Sequence, residues 1–342
     1  MKIFFMKKYL IRFLFYYTGL SNLINYFRKK VLKKGSFTIL TYHRISDSNY
    51  GDPFLSVTPH NFERQIQYLT KKYKIVSLEE LTKLIQSQHP AVDNYVAITF
   101  DDGYRDNYTN AYPILSKYNV SATIFLTTGF IGTDELFWWD KVARIVKSIR
   151  EKNLDIDKPE DIYPKKIRDV IEKISSGDIS NSSKAISFLL KEVSEEKKNL
   201  ILDDLERQVL PLPSDDQDRP YALTWDEVRQ MSEDGMEFGS HTVTHPILTK
   251  VGSDQAKYEI SQSKKEIDEK IGKVVLHFAY PNGESSDFDE RIKQFVKDNN
   301  YISACTTISG TNASQDDVFC LKRKAIDNSP ISAFASKIVG NF

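Results

Sequence analysis

Two adjacent carboxylates, Asp101 and Asp102, lie at the end of an apolar run, residues 96–100, and are followed by Gly103. The run is rich in β-branched and aromatic residues, which predicts a buried strand. Successive side chains of a strand point to opposite faces, so the two carboxylates point in different directions. Carboxylates at the end of a buried strand are costly unless a metal, a cation or hydrogen-bond donors compensate them. On this stretch alone, a functional carboxylate pair and an ordinary Asp-Asp-Gly turn are equally open interpretations.

Two of the six histidines, His241 and His245, are four residues apart, with Thr242 and Thr244 between them. This spacing puts both imidazoles on one side of a helical turn or a compact loop, a common arrangement for a divalent metal. The same spacing also occurs where no metal binds. Combined with an aspartate of the pair, the histidines offer three protein ligands and leave a fourth position for water, as catalytic zinc sites do.

The two motifs, residues 99–103 and 241–245, resemble the first two motifs of the polysaccharide deacetylases, the NodB-homology domain. The resemblance covers about residues 36–330 with a gap in the middle. It implies an α/β fold, namely a distorted (β/α) barrel, and metal-dependent removal of an N-acetyl group from a carbohydrate. Such an enzyme is a hydrolase of amide carbon–nitrogen bonds other than peptide bonds.

The resemblance also implies roles for individual residues. Asp102, His241 and His245 would bind the metal, and Asp101 would be the general base that takes a proton from water. Two imidazoles and one carboxylate suit Zn²⁺ best, although cobalt, nickel or iron can use the same ligands.

Residues 280–283 look like the third motif of the family, but with one departure. The family carries an arginine two residues ahead of the proline, where this chain has Ala279. We place Arg323 after a strand near residues 318–321 and consider it either the replacement for that arginine or an ordinary surface residue. Tyr280 and Pro281 are the expected substrate contacts of this motif, and a backbone N–H near Tyr280 is expected to hold the oxyanion.

A late Leu-x-His motif, which supplies the general acid in the family, is absent from the sequence. His43 lies just past the end of the first predicted strand, where barrel enzymes keep their chemistry. We therefore expect His43 to protonate the departing amine.

Strands alternate with helices along the chain, which predicts parallel βα units. Thr58 is a predicted helix N-cap, and Thr224 with Glu227 forms a predicted capping box. The predicted strands are residues 36–41, 75–77, 96–100, 122–128, 236–239 and 274–279, and the predicted helices are residues 58–73, 78–86, 112–118 and 256–271.

The alternation stops between about residues 134 and 222, where a charged, helix-patterned segment predicts an insertion into the barrel domain of residues 35–342. Trp138 and Trp139 begin this segment. Their rings could stack on a sugar, or they could anchor the insertion to the barrel.

The first 34 residues are basic and aromatic. Ten Lys and Arg residues precede the first acidic residue, Asp47, and the remaining chain has 37 basic and 47 acidic residues. We interpret residues 1–34 as an amphipathic segment lying on an anionic membrane surface. A cytoplasmic, peripheral location at the inner face follows from this, and export, membrane anchoring or simple packing on the domain are the alternatives.

Composition excludes several other classes of function. The formal net charge is zero over 342 residues, so nothing indicates a nucleic-acid partner. Cys305 and Cys320 predict neither a disulfide framework nor a zinc ribbon. Besides the N-deacetylase, three alternatives stay open: an O-acetyl esterase with the same site chemistry, a non-catalytic carbohydrate-binding barrel, and a membrane scaffold for glycan assembly.

Overall fold

The computed structural model of the chain describes residues 36–47, 55–90, 93–174, 179–211 and 221–339. Contacts divide this part of the chain into two compact units. Within the described residues, the first unit comprises 36–47, 56–90, 93–132 and 222–339, and the second comprises Leu55, 133–174, 179–211 and Tyr221.

The first unit is a closed barrel of seven parallel strands. The order around it is β1, β10, β9, β8, β7, β6 and β5, and β5 pairs with β1 from Ser36↔Asn94 to Tyr42↔Phe100 to close the ring. The strands of the chain are β1 (Ser36–Tyr42), β2 (Arg44–Ile45), β3 (Ser56–Val57), β4 (Lys74–Ile75), β5 (Asn94–Phe100), β6 (Thr123–Leu126), β7 (Glu237–Ser240), β8 (His277–Ala279), β9 (Ser303–Ser309) and β10 (Leu321–Ala325). The resemblance to a (β/α) barrel is confirmed.

Helices surround the barrel and form the second unit. They are α1 (Pro59–Lys72), α2 (Leu78–Gln86), α3 (Tyr112–Lys117), α4 (Trp138–Glu151), α5 (Lys165–Ile171), α6 (Ile179–Lys191), α7 (Glu195–Val209), α8 (Trp225–Glu233), α9 (Ser253–Ile271), α10 (Glu290–Asp298) and α11 (Ile331–Val339). A π-helical turn, Asn107–Ala111, precedes α3.

Alternation along the strands builds two apolar layers. On β5, Tyr95 and Ala97 belong to an inner cluster, while Val96 and Ile98 belong to the outer cluster between strands and helices. Leu81 of α2 joins the inner cluster, so this helix covers the end of the barrel where the strands begin. The opposite end, where the strands finish, receives the polar residues that follow them.

Capping side chains fix the helix starts. Thr58 caps α1 through Asn61 N, and Thr224 with Glu227 makes a complete capping box at α8. Both predictions are confirmed, and the predicted helix 78–86 coincides with α2.

One strand was predicted at the wrong place, and another was not predicted. Residues 318–320 form a short 3₁₀ turn, and the strand β10 follows it, so Arg323 lies within a strand rather than after one. β9 was not predicted at all. Both strands carry polar or basic residues on the inner face near the active end, which removes the apolar pattern that marks a strand.

The second unit is helical and has its own apolar core, drawn from α4, α5, α6 and α7. Trp138 is half-buried against this core, and Lys198 Nζ lies 5.0 Å from the centroid of its ring. Trp139 stacks on Phe137 with centroids 4.9 Å apart. Both indoles therefore have packing partners inside their own unit, and sugar stacking stays a prediction.

The basic segment of residues 1–34 lies outside the described residues. Among the residues that the structure does describe, none of the helices combines the length and the apolar character needed to span a bilayer.

Candidate metal and catalytic site

The predicted site residues come together because parallel strands end at the same side of the barrel. Asp101 and Asp102 follow β5, His241 follows β7 and His43 follows β1. His245 follows on the same loop as His241, and Arg323 reaches the same end of the barrel from within β10. Residues that are up to 280 positions apart in the sequence, such as His43 and Arg323, therefore lie in one cluster of side chains.

Asp102, His241 and His245 form the candidate metal site. His241 Nε2 lies 3.5 Å and His245 Nε2 lies 3.6 Å from Asp102 Oδ1, and all three side chains are buried. Ligand atoms about 2.0–2.1 Å from a tetrahedral ion are about 3.4 Å apart, so the observed spacing suits one shared ion. The donor set and its geometry therefore fit a divalent metal such as zinc.

The protonation of His241 also suits a ligand. Its Nδ1 lies 2.8 Å from the carbonyl oxygen of Ala279, which can only accept, so Nδ1–H donates and the lone pair of Nε2 faces Asp102. Burial lowers the pKa of His241, against the opposing effect of Asp101. The imidazole is therefore neutral at pH 7 and available for coordination.

Left-handed backbone turns aim these ligands. Asp102 has φ +74° and Gly103 has φ +82°. A Cβ on Gly103 would lie 2.9 Å from side-chain atoms of both Leu126 and Ile131, so the turn needs glycine for space as well as for its φ. The turn carries the chain away from the strand immediately after the two carboxylates.

Asp101 forms a two-point ion pair with Arg323. Nη1 and Nη2 each lie 2.7 Å from one carboxylate oxygen, and both residues are at most 2% exposed. Burial alone raises the pKa of Asp101, but the Arg323 guanidinium outweighs it, helped by His241 and His43, and the pKa falls to about 2. Asp101 is consequently ionised at neutral pH, as a proton acceptor must be.

Arg323 is itself held by neighbouring strands. Its Nε donates to the carbonyl oxygen of Thr306 at 2.8 Å, and Nη1 donates to Thr99 Oγ1 at 3.2 Å. The interpretation of Arg323 as a surface residue is excluded by its 1% exposure. Its contact with Asp101 is the one expected of the arginine that position 279 lacks.

His43 is half-buried at the end of β1, and its charge contributes to the low pKa of Asp101. Its carbonyl oxygen accepts a hydrogen bond from Asn107 Nδ2 at 2.8 Å. Asp106 holds the next two residues, accepting from Arg44 Nε at 2.9 Å and from Ile45 N at 2.8 Å. These bonds fix the His43 segment against the turn that follows the carboxylate pair.

The structure corrects the expectation for Tyr280. Its side chain is fully buried, its hydroxyl donates to the carbonyl oxygen of Phe319 at 3.1 Å, and its backbone N–H donates to Cys305 O at 3.0 Å. Strand alternation continues through this residue and sends it outward onto Phe288, where the two rings stack 4.4 Å apart. Tyr280 therefore supports the barrel wall and does not face substrate.

Pro281 is buried and has no N–H, which leaves Asn282 as the donor of this turn. Asn282 is half-buried with φ +57°, and within the described residues its N–H has no hydrogen-bond acceptor. The backbone donor expected near Tyr280 is therefore available at Asn282, two residues later, and not at Tyr280 itself.

Comparisons with known proteins agree with this geometry. A family model described as polysaccharide deacetylase matches residues 88–174 and 180–303, more than half of the chain. YxkH of Bacillus subtilis (strain 168) is 38% identical over 104 residues, which is 30% of this chain and 36% of that protein. The poly-beta-1,6-N-acetyl-D-glucosamine N-deacetylase of Staphylococcus aureus (strain MSSA476) is 31% identical over 137 residues, which is 36% of this chain and 46% of that protein. The matched segments thus span less than two thirds of either relative.

Among solved structures, the Streptococcus pyogenes deacetylase PplD in complex with acetate superposes with a TM-score of 0.56. It is 21% identical, and the match covers 89% of this chain and 99% of that one. At this identity the likeness establishes the shared fold.

Proposed function

Because this chain belongs to the polysaccharide deacetylase family, we propose that it is a metal-dependent hydrolase that removes N-acetyl groups from a glycan. The observation that carries the proposal is the buried Asp102, His241 and His245 cluster beside the ionised Asp101. Zinc is the metal that this donor set suits best.

The chain's own residues divide the chemistry among them. Asp102, His241 and His245 would hold the ion, which when bound supplies a lowered pKa for a water molecule and polarises the acetyl carbonyl. Asp101 accepts the proton of the attacking water, and Arg323 keeps its carboxylate ionised and oriented. The N–H of Asn282 donates to the oxyanion.

His43 completes the cycle by protonating the departing amine. Histidine is suited to this step because its ordinary pKa lies close to neutral pH. The hydrogen bonds around Asp106 and Asn107 hold its backbone in place while the substrate changes.

We propose an N-acetylglucosamine polymer as the substrate class. The Staphylococcus aureus relative is named for its action on poly-beta-1,6-N-acetyl-D-glucosamine. Trp138 and Trp139 are proposed to contribute an aromatic surface for the sugar rings.

We also propose that residues 1–34 hold the enzyme on the inner face of an anionic membrane, where a glycan precursor would be within reach. The nine Lys and Arg residues of this segment, which has no acidic residue, support this. Flotation with vesicles containing phosphatidylserine tests it, and equal binding by a chain lacking residues 1–34 would contradict it.

The test of the enzymatic function combines metal content with acetate release. Purified protein is offered short β-1,6-linked N-acetylglucosamine oligomers, with Asp101→Asn and His241→Ala as variants. His60→Ala is the control, because His60 is an exposed histidine on α1. We expect about one equivalent of zinc in the wild type, retained metal without turnover in Asp101→Asn, and loss of both in His241→Ala.

Other outcomes would redirect the proposal. Acetate release from acetylated xylan alone would make the protein an O-acetyl esterase. Glycan binding without metal or turnover would make it a carbohydrate-binding barrel.

A further inference from the structure

Glu259 on α9 is a buried acid that the proposed mechanism does not use. Its exposure is 0%, and its carboxylate accepts four hydrogen bonds. Val243 N and Thr244 N donate to Oε2 at 2.8 and 2.9 Å. Thr244 Oγ1 and Gln255 Nε2 donate to Oε1 at 2.7 and 2.9 Å. Three of the four donors belong to the segment between the two metal-site histidines, residues 241–245, here named the histidine loop.

The other edge of the histidine loop is held by the segment that follows β6. Thr128 N donates to Thr242 O at 3.1 Å, and Gly129 N donates to Val243 O at 2.9 Å. The carbonyl groups of the loop thus accept hydrogen bonds from the segment after β6, and its N–H groups donate hydrogen bonds to Glu259. An acceptor-only carboxylate is the group that can serve this many converging donors.

The loop needs these hydrogen bonds because its backbone is strained. Thr242 has φ +70° and His245 has φ +61°. Non-glycine residues, and β-branched ones above all, avoid the left-handed region unless their surroundings enforce it. These two residues nevertheless set where the imidazoles point, since Thr242 directly follows one histidine and the other is His245 itself.

We propose that Glu259 is a positioning residue for the metal site: by binding the N–H edge of the histidine loop, it holds His241 and His245 at the spacing that one ion requires. Removing the carboxylate takes away the acceptor of the Val243 and Thr244 N–H groups, and the loop is then free to relax its left-handed residues. The imidazoles then separate from Asp102. The inference deepens the proposed function and rests on it, because the loop serves the metal that the function requires.

The test compares Glu259→Leu with Glu259→Gln in the full chain. Leucine accepts no hydrogen bond, whereas glutamine accepts from both backbone N–H groups through its oxygen, while its amide donates to the Thr244 hydroxyl and to a flipped Gln255. We expect Zn²⁺ affinity, measured by competition with a chromogenic chelator, to fall about 10- to 100-fold in Glu259→Leu and to recover to within about threefold in Glu259→Gln. Glu269→Gln makes the same charge change on the exposed face of α9 and is expected to bind like the wild type.

A second measurement does not depend on metal. Amide hydrogen exchange at Val243 and Thr244, in protein stripped with a chelator, is expected to accelerate at least about tenfold in Glu259→Leu relative to Glu269→Gln. If Glu259→Leu does not fold, Thr244→Val takes its place, because it deletes one of the four bonds, and its zinc affinity is expected to fall several-fold.

Wild-type zinc affinity and wild-type exchange in a folded Glu259→Leu protein would overturn the inference, even if its melting temperature is lower. A wild-type chain that binds no Zn²⁺ would instead defeat the proposed function. The exchange rates would then still decide whether Glu259 holds the loop.

Discussion

Breaking the Asp101–Arg323 pair is the sharpest test of how the barrel stabilises its catalytic carboxylate. Arg323→Met keeps a long side chain in the barrel but removes the guanidinium. Asp101 then loses two charge-assisted hydrogen bonds of 2.7 Å while staying 2% exposed. Thr306 O loses its donor as well.

We expect a large loss in the free energy of unfolding because the remaining charge, on Asp101, stays buried. Removing one partner of a buried ion pair typically destabilises a protein by about 3–5 kcal/mol. Such a loss is a substantial part of the total stability of a domain, about 5–15 kcal/mol. Replacing both residues, in Asp101→Asn with Arg323→Met, removes both charges of the pair, so we expect a coupling energy of at least about 2 kcal/mol in the double-mutant cycle.

Amide hydrogen exchange of β5 and β10 provides the free energy of unfolding for the barrel unit by itself. The cycle is measured at pH 7 with a chelator present, so that metal binding does not contribute. Lys322→Met is the matched control on the same strand, since Lys322 is 40% exposed and its pair with Asp316 is 3.3 Å long. We expect the control to change stability by less than about 0.5 kcal/mol. A cost below about 1 kcal/mol for Arg323→Met, or no coupling, would refute the reasoning.

Three further predictions follow from neighbouring features. Burial lowers the pKa of His277 to about 4 from its ordinary value near 6.5, so the unfolded chain binds the extra proton first and stability is lost as pH falls from 6.5 to 4. His277→Gln should abolish about 3 kcal/mol of this loss in the free energy of unfolding. Urea unfolding between pH 6.5 and 4 measures it, and parallel pH profiles for the variant and the wild type would contradict it. Gly129→Ala places a Cβ 2.7 Å from Val243 O, so we expect weaker zinc binding by chelator competition, and unchanged affinity would show that the loop tolerates the shift. Asp106→Asn weakens the hold on the His43 segment, and kcat for acetate release should fall about 10- to 100-fold with KM little changed; a change confined to KM would place the effect on substrate binding.

The parallel βα units and most of the metal ligands were accessible from the sequence because each leaves a local pattern, and the family resemblance added the barrel. Apolar runs ending in polar residues marked β1 and β5, and the capping residues marked α1 and α8. Residue type and spacing indicated His241, His245 and one aspartate of the pair, and the family resemblance assigned the role to Asp102. The structure brings the ligand atoms of these three residues within 4.8 Å of one another.

The sequence could not provide the contacts between buried side chains that are far apart along the chain. Nothing near Arg323 indicates that its side chain enters the barrel, since its neighbours on β10 are both lysines. Tyr280 was expected to contact substrate because residues 280–283 resemble the third motif of the family. Its side chain instead points outward from the barrel and stacks on Phe288. Glu259 looked like one of many charges on an amphipathic helix, and only the folded loop shows what it binds.

The closed barrel explains how Arg323 can stand in for the arginine that the family carries at the position of Ala279. β9 lies between β8 and β10, and Cys305 on β9 is the register partner of both Ala279 and Leu321. This register places Leu321 level with Ala279, and Arg323 lies two residues farther toward the carboxyl end of its strand, where it pairs with Ser309. Because Ala279 is small and buried in the inner cluster, the interior has room for one guanidinium coming from the other side. A closed ring of strands thus lets a strand other than β8 supply the cation to Asp101, and the requirement on the sequence is one arginine whose guanidinium reaches that carboxylate inside the barrel.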